Sequence, residues 1–557
     1  MELSARTRAS RAVTDPGDLA EPSAQPGDEE RRPGGGRRTA ITVGAWIVVA
    51  VLIFLAAVRE GRQEAVQSDG ASIALQAWQM LHGNLLLKGW HVTDVSFYTT
   101  EMPVYMVVEA IRGLRIDVVA ISEAINYTLT LVCGALVAKG RATGREGMTR
   151  ALLAAGIMAA PTLSAANWLL NDADHAATAL WVLLALLVLD RAPRRWYVPV
   201  IVGILLAWAV VGDPLIEVIG SAPLLIVGVV RAWPGDAFRR TVTWSEWLRG
   251  RWFELSLAAA GLLSAAVGAE ATKAIGRAGG WVLVTAPHQF VQATTLPSNL
   301  AIEVQDFLVL FSANFFGHNA GTDLIPIVIH LVGAAVVVAG IWVAARRYRH
   351  GRPATDDLIA DVLIAGIVCN LAAYLLLYSA QTSQIREVAP VFAFGAALAG
   401  RLLGPWLARN RLEPVLAVGI VCYLLTMGPA ITGPAFRPAN QSLTGWLESH
   451  HLTNGLAGYW QTNSVTFDSG GQITMRPVNG GKDGRPVVKL WETDTAQLNP
   501  ATNSANFLVL TTGHLAPSPP VTEKGAEAKF GKPSHVYHYD GYTILVWKKN
   551  ILVPLAS

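Results

Sequence analysis

The sequence predicts a polytopic α-helical membrane protein with about eleven transmembrane helices and a small C-terminal α/β or α+β domain. Three observations support this prediction. The 557 residues are 52% hydrophobic and only 15% charged, whereas about a quarter of the residues in a soluble domain are charged. The charges cluster between apolar runs, many of which approach the length that a bilayer crossing requires. From about Pro434 onwards, turn residues and short strand-like runs replace these apolar runs.

The N-terminal segment, residues 1–40, is rich in Arg, Glu, Pro and Gly and has no apolar period, which predicts a disordered cytoplasmic tail. It is too long and polar to precede a cleaved secretory signal, so we expect the first apolar segment to remain as an anchor. Residues 41–433 form the predicted transmembrane domain. Its predicted spans are 41–58, 117–137, 150–166, 176–189, 197–211, 215–230, 253–268, 324–345, 358–378, 388–403 and 414–431. The shorter apolar segments 100–113 and 296–316 are predicted to be interfacial or re-entrant.

The positive charges predict the orientation of these spans, because Lys and Arg near span ends stay on the cytoplasmic side. Arginines cluster before the first span and after each even-numbered span, whereas the intervening connections contain few. The N-terminus is therefore predicted to be cytoplasmic. An odd number of spans places residues 434–557 outside the cell membrane, as an extracytoplasmic soluble domain.

Turn signals divide this C-terminal domain into short elements. Strands are predicted near 472–476, 487–491, 507–511 and 542–547, and helices near 443–450 and 521–530. We find no internal repeat in the chain, which weakens the case for a transporter built from inverted repeats.

The stretch that follows the first span begins an amphipathic helix that contains an acidic residue, Asp69. Ile73, Ala74, Ala77 and Trp78 recur on one side at helical spacing. Asp69 could simply cap this helix, as could Ser68. Alternatively, a carboxylate held at the membrane surface could accept a proton from a substrate that arrives from the aqueous side.

Further polar and ionisable residues lie at the predicted outer ends of other spans. Such groups are costly at membrane depth and usually face a cavity or a partner. We therefore predict a polar cleft formed by several outer loops. The residues concerned are Asp94, Glu101, Asn171, Asp172, Asp174, His175, Asp213, Glu217, Arg386 and Glu387.

Several of these residues have both a chemical and a structural interpretation. Asp172, Asp174 and His175 could hold a divalent cation such as Mg²⁺ or Mn²⁺, or cap the next span and face solvent. Arg386 could bind a phosphate group, or merely pair with Glu387. Asp213 and Glu217 could contribute to the cleft, or could merely break and cap the spans around Pro214. His288, in the fourth outer loop, could line a groove for a lipid carrier.

The chain resembles the GT-C superfamily of integral-membrane glycosyltransferases, which take a sugar from a polyprenyl-phosphate carrier. The resemblance is carried by the sequences Ser-Asp-Gly at 68–70, Thr-Glu-Met-Pro at 100–103 and Asp-Ala-Asp-His at 172–175, and by the C-terminal outer domain. It implies that Asp69 is the catalytic residue. It also implies a polyprenyl-phosphate-linked sugar donor, membrane lipids and an envelope glycan, lipid or protein acceptor as partners, with no nucleic acid. The composition, rich in Ala, Gly, Val, Arg and Trp, resembles that of a high-GC actinobacterium, where similar enzymes act on cell-wall or envelope glycans.

The chain also departs from that superfamily. The first loop contains one acid, Asp69, where many members have a pair, and the Trp-Trp-Asp motif of oligosaccharyltransferases is absent. The expected reaction is an inverting displacement with an aspartate as the general base. Glu101, Asp94, Asp213, Glu217, Arg386 and His288 are the expected substrate-binding residues. A transporter or flippase of lipid-linked or envelope substrates, or a non-catalytic envelope assembly protein, remains the alternative.

Overall fold

The computed structural model describes residues 35–63, 65–171, 175, 177–233, 243–284, 290–316, 324–349, 357–377, 382–435, 440–511 and 517–556. Helices dominate the first three quarters of the chain, and within the described residues all but two short strands lie in the C-terminal quarter. This distribution follows the change in composition near Pro434. The predicted fold class, a polytopic helical membrane protein with a smaller α/β domain, is therefore confirmed.

Sixteen helices lie within the described part of the N-terminal three quarters. They are α1 (Gly35–Gly61), α2 (Ser68–Leu81), α3 (Met102–Arg112), α4 (Val118–Lys139), α5 (Gly144–Met158), α6 (Leu163–Leu169), α7 (Thr178–Arg191), α8 (Tyr197–Gly212), α9 (Ala222–Ala232), α10 (Trp244–Arg277), α11 (Leu296–Leu310), α12 (Leu324–Arg349), α13 (Leu358–Leu377), α14 (Ala389–Arg409), α15 (Glu413–Leu425) and α16 (Gly428–Thr432).

Six of the described helices are long and apolar enough to cross a membrane: α1, α4, α10, α12, α13 and α14, the last extended at its N-terminus by a 3₁₀ turn. Shorter apolar helices, among them α8 and α15, pack between or beside them. The protein is therefore a multi-pass membrane protein.

Two of the predicted spans are interrupted within the described residues. The segment predicted at 150–166 is divided between α5 and α6, with a break before and after Pro161, as expected for a residue that cannot donate to the helical ladder. The segment predicted at 414–431 is divided between α15 and α16. The span predicted at 215–230 is helical throughout and includes a π-helical turn, Glu217–Ser221, before α9. The two segments predicted to be interfacial or re-entrant form α3 and α11.

The C-terminal domain is built on a six-stranded mixed sheet in the order β5-β4-β3-β7-β9-β8. The strands are β3 (Asn454–Ala457), β4 (Thr474–Gly480), β5 (Pro486–Val488), β7 (Phe507–Thr511), β8 (His535–Tyr539) and β9 (Tyr542–Val546). The central strand β3 is parallel to both neighbours, and the outer pairs are antiparallel. The helices of this domain are α17 (Gln441–Ser449), α18 (Tyr459–Asp468), α19 (Glu523–Phe530) and α20 (Leu552–Ala556).

A second, three-stranded sheet joins the C-terminal domain to the loops of the membrane domain. Its central strand β1 (Trp90–Val92) is parallel to β2 (Val282–Leu283), which follows α10, and antiparallel to β6 (Thr493–Asp494) of the C-terminal domain. Helix α18 also packs on α2. These contacts place the C-terminal domain against helix α2, which contains Asp69.

Candidate functional site

Asp69 lies at the start of α2, but it does not cap that helix. The N-cap residue is Gln67, and it makes no side-chain capping hydrogen bond. The Ser68 hydroxyl donates instead to the Tyr459 carbonyl at 2.6 Å, and Asp69 Oδ1 accepts a hydrogen bond from the Tyr459 hydroxyl. The capping interpretation is therefore wrong for both residues, because both side chains contact the C-terminal domain.

The apolar face of α2 fixes this position. Ile73, Ala74 and Ala77, which the helical spacing placed on one side, are buried in one core cluster with Trp90 of β1 and Phe467 of α18. Asp69 is half-buried at the edge of this cluster. A carboxylate in such a position is partly shielded from water and has a defined orientation, as a general base requires.

A lysine from the C-terminal domain completes the surroundings of Asp69. The Lys489 ammonium lies 4.8 Å from the ring centroid of Tyr459 and 5.8 Å from that of Trp491. Burial lowers the pKa of Lys489, while attraction to the Asp69 carboxylate opposes this shift. The site therefore holds a cation close to the candidate base.

Glu492 lies behind this pair and is buried. Its side chain accepts hydrogen bonds from the Ser72 hydroxyl, from Gln76 Nε2 at 2.9 Å and from the backbone N–H of Thr93 at 3.3 Å. Burial, reinforced by the Asp69 charge, raises the pKa of Glu492 from 4.5 to about 8. Glu492 thus links the C-terminal domain to α2 and to Thr93, the residue before Asp94.

This pKa shift predicts a pH-dependent stability. Folded Glu492 keeps its proton between pH 4.5 and about 8, whereas the unfolded chain loses it near 4.5. The contribution of protonated Glu492 to the free energy of unfolding is therefore complete below pH 4.5 and is lost as the pH rises through 8.

We expect Glu492→Gln, which mimics the protonated acid, to raise the thermal unfolding midpoint at pH 9 by roughly 5 °C and to have little effect at pH 4. Tryptophan fluorescence measures this midpoint, and Glu523→Gln on the exposed start of α19 is the control. An equal effect of Glu492→Gln at both pH values would contradict the prediction.

A second charged cluster lies at the adjacent ends of α7, α8 and α14. His175 Nδ1 lies 2.6 Å from Asp213 Oδ2, and His175 Nε2 lies 3.6 Å from Glu387 Oε2. The Thr178 hydroxyl donates to the same Asp213 oxygen. Burial disfavours the imidazolium, but the carboxylates of Asp213 and Glu387 outweigh this effect and raise the pKa of His175 to about 10. The cluster therefore contains an imidazolium between two carboxylates.

The structure brings five of the predicted residues into this region: His175, Asp213 and Arg386 together with Glu101 and Asp94. Arg386 Nε lies 4.0 Å from Glu387 Oε1. The carboxyl group of Glu101 is completely buried and interacts electrostatically with Asp213 and His175. Asp94 in turn interacts with Glu387.

Asp94 also connects the two clusters. It follows Thr93, whose N–H contacts Glu492 beside Asp69, while its own charge acts on Glu387. The short strand β1 holds this Thr-Asp pair in place. Asp69, Lys489 and Glu492 on one side and Glu387, Arg386 and His175 on the other thus form one polar region.

Among the described residues, the predicted residue Glu217 does not join this region. Asp172, Asp174 and His288 lie outside the described residues. Glu217 lies in the π-helical turn, and no hydrogen bond or ion pair links it to the described residues of the cluster. Asp213 has a local role as well, because its Oδ1 accepts the backbone N–H of Leu215 at 2.8 Å.

The described contacts of His175 do not fit a metal ligand. A ligating histidine is neutral, whereas the two carboxylates stabilise the charged imidazolium of His175. His175 has a positive φ of 58° and precedes α7, which begins at Thr178, so it is not part of that helix. Among the described residues, no group of three or more His, Cys, Asp or Glu side chains is arranged to hold a metal ion. The divalent-cation site therefore stays a prediction.

Sequence reasoning missed the contributions of Tyr459, Lys489 and Glu492. They lie about 400 residues from Asp69, and a single sequence gives no signal for such a contact. Three other aromatic residues of the C-terminal domain stabilise its fold through packing or a hydrogen bond. Tyr537 and Tyr539 pack against Trp446, and the Tyr542 hydroxyl donates to Asn440 Oδ1 at 3.1 Å.

The fold and these contacts define a multi-pass membrane protein with a charged region between its helix ends and a C-terminal α/β domain. The solved structures of ArnT from Cupriavidus metallidurans have a similar fold. The apo structure superposes with a TM-score of 0.51 at 14% identity and covers 90% of this chain and 98% of ArnT. The structure bound to undecaprenyl phosphate gives 0.51 at 15% identity, with 90% and 97% covered. No family model and no curated protein sequence matches the chain.

Proposed function

We propose that this protein is a membrane glycosyltransferase that transfers a sugar from a polyprenyl-phosphate carrier to an envelope glycan, lipid or protein acceptor. The observation that carries the proposal is the environment of Asp69, which is half-buried, oriented by Tyr459 and close to Lys489. The likeness of the fold to ArnT, which has been solved with undecaprenyl phosphate, supports a lipid-linked donor. The similarity of the two folds covers nearly the whole of this chain and of ArnT.

The distribution of charges supports a reaction at the outer face. Arg141, Arg194 and Arg401 lie around the ends of α4, α7 and α14 that are opposite to the Asp69 region. Because cationic residues accumulate on the cytoplasmic side, this arrangement favours an extracytoplasmic location for Asp69 and the C-terminal domain and a cytoplasmic N-terminus.

The proposed reaction is a single displacement at the anomeric carbon. The Tyr459 hydroxyl engages Asp69 Oδ1, so Oδ2 is the oxygen that accepts the proton from the acceptor hydroxyl. The hydroxyl oxygen forms the new glycosidic bond while the bond between the anomeric carbon and the phosphate oxygen breaks. The electron pair of that bond remains on the polyprenyl phosphate. One attack without a covalent intermediate inverts the anomeric configuration.

The leaving phosphate requires stabilisation of its growing negative charge. Arg386 and Lys489 supply positive charge in this region in addition to His175, and a guanidinium can donate two parallel hydrogen bonds to a phosphate. Asp94, Glu101 and Asp213 are proposed to contact the sugar hydroxyls or to hold Arg386 and His175 in place. Glu217 and His288 complete the proposed substrate-binding set.

We expect Arg386→Gln to raise the KM for the donor lipid by roughly 10- to 100-fold, because hydrogen bonds to charged groups contribute about 1.5–3 kcal/mol. Initial rates of sugar transfer, measured at several donor concentrations, test this prediction. Arg277→Gln, at the exposed end of α10, is the matched control and should leave KM unchanged. An unchanged KM in Arg386→Gln would show that Arg386 only pairs with Glu387.

The proposal is tested by incubating the purified protein with polyprenyl-phosphate sugars and measuring the release of polyprenyl phosphate. Catalysed release supports a transferase. Movement of the intact donor across a vesicle bilayer without release would instead identify a flippase. A parallel reaction with EDTA tests the divalent-cation site predicted at Asp172, Asp174 and His175. Loss of activity and its recovery with Mg²⁺ or Mn²⁺ would support that site, whereas unchanged activity would agree with an ion-paired His175.

A further inference from the structure

A cavity of 560 Å³ lies between the membrane domain and the C-terminal domain, at the opposite end of α18 from Tyr459. One wall is formed by the end of α1 and the start of α4, and includes Arg62, Arg115 and Asp117. The facing wall belongs to the C-terminal domain and includes Glu448 and Asp468. Ala65 and Val66, which lead into α2, also line this cavity. Its charged C-terminal wall, however, lies at the far end of α18 from Tyr459, ten residues or about 15 Å along that helix.

The membrane-domain wall carries an excess of positive charge. Three guanidinium groups converge on the Asp117 carboxylate: Arg62 Nη2 at 3.4 Å, Arg115 Nε at 3.8 Å, and Arg112, which donates a hydrogen bond to it. One carboxylate cannot neutralise three cations. These residues lie where α1 ends and α4 begins, which is the level of lipid headgroups for helices that cross a bilayer.

The facing wall is acidic. Both carboxyl oxygens of Asp468 are buried and have no hydrogen-bond partner among the described residues. Burial raises the pKa of Asp468 to about 7. Glu448 is exposed on the same wall, and the described residues form no ion pair with it. A buried carboxyl group without a partner is costly, so a ligand that contacts Asp468 would relieve this cost.

We propose that this cavity binds a zwitterionic phosphoethanolamine headgroup from the adjacent lipid leaflet. Arg62 and Arg115 would bind the phosphate, and Asp468 and Glu448 would accept hydrogen bonds from the primary ammonium. The small residues Gly61, Ala65 and Ala120 also line the cavity, and we place the glycerol end of the lipid against them. An anionic lipid fits less well because its headgroup has no cation for the acidic wall. A choline headgroup fits less well because its quaternary ammonium has no N–H to donate.

Native mass spectrometry of the full-length protein with dioleoyl lipids tests this proposal. Phosphatidylethanolamine should be retained best, then phosphatidylcholine, then phosphatidylglycerol. The double variant Arg62→Gln/Arg115→Gln should lose at least tenfold in phosphatidylethanolamine retention; Asp117 keeps Arg112 as its partner, so the fold should persist. The double variant Glu448→Gln/Asp468→Asn should lose only the preference for ethanolamine over choline.

Glu270→Gln/Lys273→Gln, which removes an exposed ion pair on α10, is the matched control and should retain the lipid as the native protein does. Equal retention of the three lipids, or native retention by both cavity variants, would overturn the proposal. So would displacement of the lipid by a soluble oligosaccharide, which would identify an acceptor subsite instead. The measurement does not depend on sugar transfer, so the proposal and the proposed function can fail separately.

Discussion

Replacing Asp69 with asparagine is expected to lower the rate of sugar transfer about 10³-fold, because positioned general bases contribute roughly 10²- to 10⁴-fold. Asparagine keeps the shape of the side chain and an oxygen that can accept the hydrogen bond from Tyr459. It cannot accept the proton of the acceptor hydroxyl. The loss should therefore fall on kcat, with binding of the donor lipid largely unchanged. Radiolabelled transfer to the acceptor measures the rate.

The matched control for this variant is Asp483→Asn, which makes the same change in an exposed turn of the C-terminal domain. It should transfer sugar at the native rate. Thermal unfolding of both variants establishes that they remain folded. Native activity in a folded Asp69→Asn protein would contradict the role of Asp69 and would favour a non-catalytic assembly protein.

Replacing Arg401 with methionine is expected to destabilise the fold by about 3–5 kcal/mol, because it removes the cation that pairs with the buried carboxylate of Asp190 and the half-buried carboxylate of Asp357. Arg401 lies in α14 and is buried. Its guanidinium donates to Asp190 at the end of α7 at 2.8 Å, to Asp357 before α13 at 2.5 Å and to the Val137 carbonyl of α4 at 2.6 Å. One side chain therefore joins the ends of four helices.

The unfolding midpoint of Arg401→Met in detergent should fall by on the order of 10 °C. Arg409→Met is the matched control, since Arg409 lies on the same helix and is exposed. Its midpoint should change little. If the midpoint of Arg401→Met changed as little as that of Arg409→Met, the hydrogen bonds of Arg401 would contribute little net stability.

The membrane helices could be predicted from the sequence because apolar length and clustered charges are local signals. The boundaries of α4, α8, α12 and α13 fall within a few residues of the predicted spans. The break before α6 was harder to place, because Pro161 can either kink or end a helix, and packing decides between these outcomes. The boundary at Pro214 was predicted, since α8 ends at Gly212 and helical structure resumes at residue 215.

The C-terminal domain shows where local signals stop. Strand β9 follows the turn signal Asp540-Gly541, and β7 is a largely apolar run, so both were predicted, whereas β3 was missed. Gly455 in β3 would not be expected in a strand, but a side chain there would collide with the ring of Phe507. Helix α18 was missed as well, because its Thr, Asn, Ser and Val residues have low helix propensity. Burial of nearly all its side chains stabilises it instead.

The candidate site was only partly predictable. Asp69, Asp94, Glu101, His175, Asp213 and Arg386 all lie near span ends, where ionisable residues are conspicuous. The partners that orient Asp69 come from a domain almost 400 residues away and are joined through strands of two or three residues. Such short strands produce no readable pattern in a sequence, so the hydrogen bond from Tyr459 and the nearby Lys489 could be found only in three dimensions.

The central claim, that Asp69 acts on a lipid-linked sugar, is tested most directly by an experimental structure of the Asp69→Asn protein with its polyprenyl-phosphate sugar donor. The account predicts the anomeric carbon beside the side chain at position 69 and the phosphate within hydrogen-bonding reach of Arg386 or Lys489. A phosphate bound far from all three residues would contradict it.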